Sequence, residues 1–287
     1  MKQLLILSGK GGTGKTTVAG AFIKLADARA YADCDVDAPN LHLIRAHSLP
    51  AKRSDYYGMR KAIIDAESCR SCGLCRQNCR FEAINKSNGQ YEVDAYACEG
   101  CGVCEAVCPM GAVSLQPAVA GELMLYKDDM VFSTARLKMG SGTSGKLVTE
   151  VKKQLRQEAM DADLAVIDGS PGIGCPVIAS LNGADMVLIV AEPSLSGISD
   201  MERIITMAEK FKMKTGVCVN KYDTNEELAL KIEAFCRERA LPFLGKIPFD
   251  TAAIKAVNKG QSIIDVDCPS GRAATKVFYK TLLIMNS

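Results

Sequence analysis

Along most of this chain, short apolar runs alternate with stretches whose apolar residues recur at helical spacing. Residues 3–7 form the first run, and residues 15–28 follow with Val18, Ala21, Phe22 and Leu25 on one helical face. Further runs at 164–167, 187–191, 216–219 and 243–247 predict buried strands. Helical spacing predicts helices over 144–159, 175–183, 198–212, 225–239, 250–258 and 271–285. Strands that are apolar throughout need cover on both faces, and their alternation with helices belongs to parallel sheets. The pattern thus predicts an α/β fold, a mostly parallel sheet with helices on both sides.

Between residues 60 and 117 the pattern breaks, and cysteines and glycines replace the long periodicities. The expected organisation is one discontinuous domain, residues 1–59 and 118–287, interrupted by a small module over 60–117. Composition adds limits rather than detail. The chain is 48% hydrophobic and 24% charged, ordinary for a globular protein, and its net charge of +2 creates no field for nucleic acid or an anionic membrane. No stretch approaches the roughly 20 apolar residues of a membrane span, so a cytoplasmic location is expected. In that compartment thirteen cysteines point to metal or redox chemistry rather than disulfides.

Eight of the cysteines form two runs. Cys69-x2-Cys72-x2-Cys75-x3-Cys79 is followed, 29 positions on, by Cys98-x2-Cys101-x2-Cys104-x3-Cys108-Pro109. This doubled spacing is the bacterial two-cluster ferredoxin pattern, in which the fourth cysteine of each run ligates the other cluster. It predicts one [4Fe–4S] cluster on Cys69, Cys72, Cys75 and Cys108, and a second on Cys98, Cys101, Cys104 and Cys79. Zinc sites use separated C-x2-C pairs, which a tight triple does not suit. Arg80 stands where many ferredoxins have proline, a change that removes no ligand.

Gly9-Lys10-Gly11-Gly12-Thr13-Gly14-Lys15-Thr16 fits G-x-x-x-x-G-K-[ST] between a predicted strand and helix. Backbone N–H groups from Gly9 to Gly14 are expected to curl round a polyphosphate at the helix N-terminus, with Thr17 in the first turn beyond. Lys15 is expected to reach the β- and γ-phosphates, and the Thr16 hydroxyl to ligate Mg²⁺. Asp168 ends the apolar run 164–167, the Walker B position for a carboxylate that holds Mg²⁺.

The segment from Ser8 to Thr17 resembles the deviant Walker A loop of the family that holds MinD, ParA, the Mrp-type cluster carriers and the nitrogenase iron protein. That resemblance implies a nucleotide-dependent homodimer, or a heterodimer with a related chain, in which Lys10 contacts phosphate across the interface. Asp33-Cys34-Asp35-Val36-Asp37 resembles the family's first switch, which makes Asp35 the implied catalytic residue that orients water, with Asp33 in support. Asp37 is the alternative. Asp168-Gly169-Ser170-Pro171-Gly172 resembles the second switch, whose last glycine, Gly172, offers its N–H to the γ-phosphate. Asn220-Lys221-Tyr222-Asp223 spells the guanine-reading N-K-x-D, yet the family places such an asparagine on adenine, and Ile247-Pro248-Phe249-Asp250 resembles its second base loop. Asn220 and Pro248 are therefore the expected base contacts, with ATP favoured over GTP.

Along most of its length the chain resembles MinD-superfamily P-loop ATPases with an inserted ferredoxin domain. Three functions follow as expectations. ATP binding and hydrolysis could gate low-potential electron transfer to a partner protein; the chain could assemble or carry metalloclusters for an apo-protein; or it could be a positioning ATPase with a redox sensor. Cys175, seven residues after Asp168, stands where the nitrogenase iron protein has a cluster ligand, but no second cysteine lies in 109–174 to join it. Cys218 reads as core, Cys236 and Cys268 show no ligand spacing, and His42 and His47 form no constellation. The last helix, with Val277, Phe278, Leu282 and Leu283, is expected to close the sheet.

Overall fold

The structure is a computed structural model and describes residues 1–44 and 47–287. The chain opens with β1 (Lys2–Leu7), α1 (Lys15–Leu25) and β2 (Ala30–Asp33). After β3 (Lys52–Tyr57) come β4 (Lys61–Ile64), α2 (Leu74–Gln77), β5 (Ile84–Ser87), β6 (Gln90–Val93), α3 (Val103–Ala106) and β7 (Val113–Gln116). Next are β8 (Val119–Lys127), β9 (Val131–Leu137), α4 (Ser144–Glu158), β10 (Leu164–Asp168), α5 (Cys175–Leu181) and β11 (Met186–Ala191). The chain ends with α6 (Leu195–Lys210), β12 (Lys214–Asn220), α7 (Glu226–Glu238), β13 (Phe243–Ile247), α8 (Thr251–Asn258) and α9 (Pro269–Asn286). Two compact units result. One comprises Met1–Arg53, Leu123–Arg136 and Ser144–Ser287, and the other Ser54–Glu122 with Leu137–Thr143.

In the first unit the strand order is β13-β12-β11-β1-β10-β2-β9, and each neighbouring pair is parallel. The central strands are buried along nearly their whole length, which explains why they read as unbroken apolar runs. α1 packs Val18, Phe22 and Ile23 into the core, where the Phe22 and Phe278 rings meet edge to face at 5.1 Å. Helix starts carry caps: Ser194 accepts from Gly197 N, Asn225 from Leu228 N, and Asp250 from Ala252 N. α9 closes the sheet as the pattern predicts, with Val277 and Phe278 buried, but Leu283 faces solvent. α1 stops at Leu25, short of the predicted residue 28, because Asp27 turns left-handed. His47 stacks on Tyr126 and Phe132 and meets the Tyr31 hydroxyl at 3.0 Å, a place in the aromatic core.

The predicted elements omit β8 and β9. β9 is buried yet carries Ser133 and Thr134 mid-strand, which interrupts the apolar run. The Ser133 hydroxyl finds partners in Val151 O and the Gln154 side chain, so its burial is compensated.

The second unit holds two antiparallel pairs, β4 with β7 and β5 with β6. Its core consists of Ala62, Cys75, Ala83, Ile84, Cys98, Cys104 and Val113. The unit repeats itself in conformation as well as sequence. α2 matches α3, β5 matches β7, and left-handed residues recur in register at Ser71 and Gly100, Gly73 and Gly102, and Glu82 and Gly111.

Candidate functional site

The loop between β1 and α1 borders an open groove of about 670 Å³. Lys10, Gly11, Gly12, Thr13, Gly14, Lys15, Thr16 and Thr17 line it, together with Asp35, Asp37, Ser170, Pro171 and Lys221. Gly14 caps α1 at φ 87, and a Cβ there would lie 2.2 Å from the Asn220 amide nitrogen, so both conformation and space require glycine. Gly9 does not join the groove. It packs against Asp200 of α6, where a Cβ would fall 2.1 Å from that residue's Cβ.

Parallel pairing of β2 and β10 sets Asp33 beside Asp168 in register at the carboxyl end of the sheet. Asp168 is fully buried and holds the Lys15 ammonium on Oδ1 and the Thr16 hydroxyl on Oδ2, the latter at 2.6 Å. Burial works against the Lys15 charge, but Asp168, Asp33 and Asp35 outweigh it and raise the pKa. Asp33 accepts from the amides of Asp35, Asn40 and Leu41 at 2.9 to 3.0 Å and so shapes the switch. Burial and Asp168 push its carboxyl up to about 7. Asp35 is half-buried and raised mainly by burial, against the pull of Lys15; Asp37 is exposed.

Two residues expected at the phosphates have other partners in the structure. The Gly172 amide donates to Ser8 O at 3.0 Å. Lys10 leans on the loop before α6, with its ammonium 3.1 Å from Ser194 Oγ, 3.3 Å from Ser196 Oγ and 3.5 Å from a Glu192 carboxylate oxygen. That Glu-Pro-Ser-Leu-Ser-Gly segment carries no charge-binding motif, so only the structure reveals its hold on Lys10.

A second pocket adjoins Gly14 and Thr17 and is walled by Asn220, Pro248, Phe249, Ile254 and Val257. Asn220 donates from its side-chain amide to Thr13 O at 2.7 Å, and Lys221 from its ammonium to Gly12 O at 2.8 Å. Asp223 accepts the Phe249 amide at 2.7 Å and thereby ties the segment after β12 to the one after β13. Ile254 and Val257, on α8, were not predicted, since apolar residues on a short helix signal core as readily as a pocket wall.

In the second unit, Cys69, Cys72, Cys75 and Cys108 line one pocket, and Cys79, Cys98, Cys101 and Cys104 another. Cys72 and Cys101 are the exposed member of each set. Backbone amides aim at the sulfurs in matching pairs: Ser71 N to Cys69 Sγ and Gly100 N to Cys98 Sγ, both 3.4 Å, and Ala83 N to Cys79 Sγ and Ala112 N to Cys108 Sγ, at 3.4 and 3.3 Å. Burial would push the Cys108 thiol up, but the amides from Met110 to Val113 outweigh it and lower the pKa. Among the described residues, no three His, Cys, Asp or Glu side chains are grouped as a site for a single metal ion. Cys175 is exposed at the first turn of α5. Cys34 and Cys218 are buried thiols pushed up to about 12.

The profile of the CobQ/CobB/MinD/ParA nucleotide-binding domain matches residues 4–263. This chain belongs to that family. The MinD/ParA-type family assignment carries P-loop ATPase chemistry, and the groove at the β1–α1 loop is where its nucleotide-binding motif lies. An uncharacterized family relative in Methanocaldococcus jannaschii is 31% identical over 78% of this chain and 79% of its own length. The iron-sulfur cluster carrier protein of Pyrococcus furiosus is 24% identical over 97% of this chain and 84% of that protein. The crystal structure of the Pyrococcus furiosus cell division ATPase MinD aligns over 99% of both chains, with a TM-score of 0.59 at 17% identity, and shares the fold. Among the described residues no helix is long and apolar enough to cross a membrane.

Proposed function

We propose that this family member is an ATP-hydrolysing iron–sulfur protein whose nucleotide state gates low-potential electron transfer to a partner protein. The observation that carries the proposal is the pair of cysteine pockets, each lined by the four cysteines that the ferredoxin spacing groups together. The donor set fits. A cubane spreads its four thiolates over four irons, so the sulfurs need not converge on one point as they do for zinc. The N–H groups aimed at Cys69, Cys79, Cys98 and Cys108 are the kind of donor that tunes such sulfurs. When bound, the [4Fe–4S] groups supply one-electron chemistry at low potential. The chain's part is to hold them in the second unit, read as an inserted ferredoxin-like domain.

In the ATPase unit, Lys15 would leave Asp168 to hold phosphate, and Asp168 with Thr16 would hold Mg²⁺, which would supply charge stabilisation to the phosphates. Asp35 orients the attacking water, and Asp37 is the alternative. Lys10 leaves Glu192 to contact phosphate across a nucleotide-dependent homodimer. Asn220 and Pro248 contact the base, and Gly172 releases Ser8 to reach the γ-phosphate.

A cluster carrier or assembly ATPase is the second reading. The relatives named iron-sulfur cluster carrier proteins favour it, as does the exposure of Cys72 and Cys101. Anaerobic reconstitution, addition of ATP with a candidate acceptor, and parallel records of cluster content and EPR signal separate the two. ATP-dependent oxidation with clusters retained is expected; transfer of iron and sulfide to an apo-acceptor would sink electron gating. Lys15→Ala abolishes either response.

A further inference from the structure

The repeat within the cysteine unit is not symmetric in charge. When the second cysteine run is laid on the first, Arg70 falls on Glu99, and Arg76 on Glu105. Arg70 lines the pocket of Cys69, Cys72, Cys75 and Cys108, while Glu99 lines the other. Arg76 follows buried Cys75 in α2, and Glu105 follows buried Cys104 in α3. Glu105 is fixed there, since it accepts the amide of Leu115, a lining residue of the second pocket, at 3.2 Å.

The remaining charges soften this reversal without undoing it. Asp65 and Asp94 occupy equivalent positions, and each accepts backbone amides at the head of its cysteine run, so their effects cancel. The Lys61 ammonium donates to Cys98 O and Arg80 follows Cys79, which offsets the glutamates of the second pocket. At the first pocket Glu67 precedes Cys69, but Lys86 sits 5.5 Å over the ring of the lining residue Tyr91. The first pocket is left net positive relative to the second.

We infer that this arginine–glutamate reversal sets the potentials of the two sites apart, with the group held by Cys69, Cys72, Cys75 and Cys108 the easier to reduce. The inference rests on the iron–sulfur reading above. Reduction adds negative charge, which nearby cations stabilise and carboxylates oppose. A single electron supplied by an external one-electron reductant therefore resides at the arginine-flanked site. All four side chains are exposed, so salt screens the effect.

The test is an EPR-monitored redox titration of the reconstituted full chain at low salt, with dithionite as reductant. Iron and sulfide analysis comes first. Far fewer than about eight irons per folded chain sinks the cluster reading, and the polarity with it. With both sites loaded, two midpoints are expected, at least tenfold apart in electron distribution, which is about 59 mV. Arg70→Gln with Arg76→Gln lowers the higher midpoint, and Glu99→Gln with Glu105→Gln raises the lower one. Coincident midpoints, or an arginine variant that moves the lower midpoint, overturn the inference. Where a variant fails to load, the wild-type chain decides. Its separation shrinks as salt rises from roughly 0.02 to 0.5 M, and a salt-independent separation is the overturning result.

Discussion

Glu192→Gln combined with Ser196→Ala removes two of the three groups that hold the Lys10 ammonium. The Lys10 side chain is 35% exposed and that of Glu192 24%, so at 3.5 Å their ion pair contributes about 0.5–1 kcal/mol after screening. The Ser196 hydroxyl, at 3.3 Å, contributes about 0.5–1 kcal/mol more. Ser194 is left intact because its hydroxyl also caps α6, and its loss would confound the result with about 1 kcal/mol of helix stability. If Lys10 must leave this seat to act on a partner's nucleotide, the double variant lowers the cost of departure by about 1–2 kcal/mol. One Lys10 is released from each protomer, so the homodimer gains about 2–4 kcal/mol and its dissociation constant falls about 30- to 900-fold. Sedimentation velocity with Mg²⁺ and a slowly hydrolysed ATP analogue measures it. The same pair of changes in a Lys10→Ala background has no effect, since nothing remains to be released. An unchanged constant, or equal tightening without Lys10, refutes the reasoning.

Lys152 is buried in α4 and donates to Ser180 O and to Asn182 O, the latter at 2.7 Å, at the end of α5. Burial pulls its pKa down to about 8. The unfolded chain therefore binds the extra proton between about pH 8 and 10.5, and stability rises with pH across that window. From pH 7.5 to 9.5 the wild-type chain should gain roughly 2 kcal/mol over Lys152→Met in urea unfolding, and parallel curves would exclude this assignment. Asp223 accepts the Phe249 amide. Competition against a fluorescent ATP analogue should show ATP preferred to GTP, and Asp223→Asn should create no preference for xanthosine triphosphate. A switch toward xanthosine would identify Asp223 as a base reader.

Much of this arrangement is legible in the sequence because burial on both faces leaves unbroken apolar runs. β1, β10 and β11 announce themselves in that way, whereas β9 hides behind Ser133 and Thr134, whose hydroxyls a linear pattern scores as surface. The phosphate loop and the cysteine runs are local motifs, with their chemistry contained in their spacing. What no local pattern contains is which partner a side chain takes. Lys10 on Glu192, Asp223 on Phe249, and Gly9 against Asp200 join positions far apart in the chain, through contacts made by the fold. Unit boundaries are equally non-local: Leu137–Thr143 groups with the cysteine-rich stretch, though its sequence carries no cysteine.

The register of β2 on β10 has a consequence for how the molecule comes into being. Asp33 and Asp168 are neighbours in the finished sheet, yet the entire cysteine-rich segment is synthesised between them. Closing so long a loop of disordered chain carries an entropy cost that grows with its length, by about 0.6 kcal/mol per doubling. A segment that has already collapsed shortens the loop that β10 must close, and pairings distant in sequence are the slow ones. On the ribosome the cysteine-rich stretch emerges complete before β10 exists. The β1–α1 loop and β2 therefore wait, without β10, until that stretch has had time to fold.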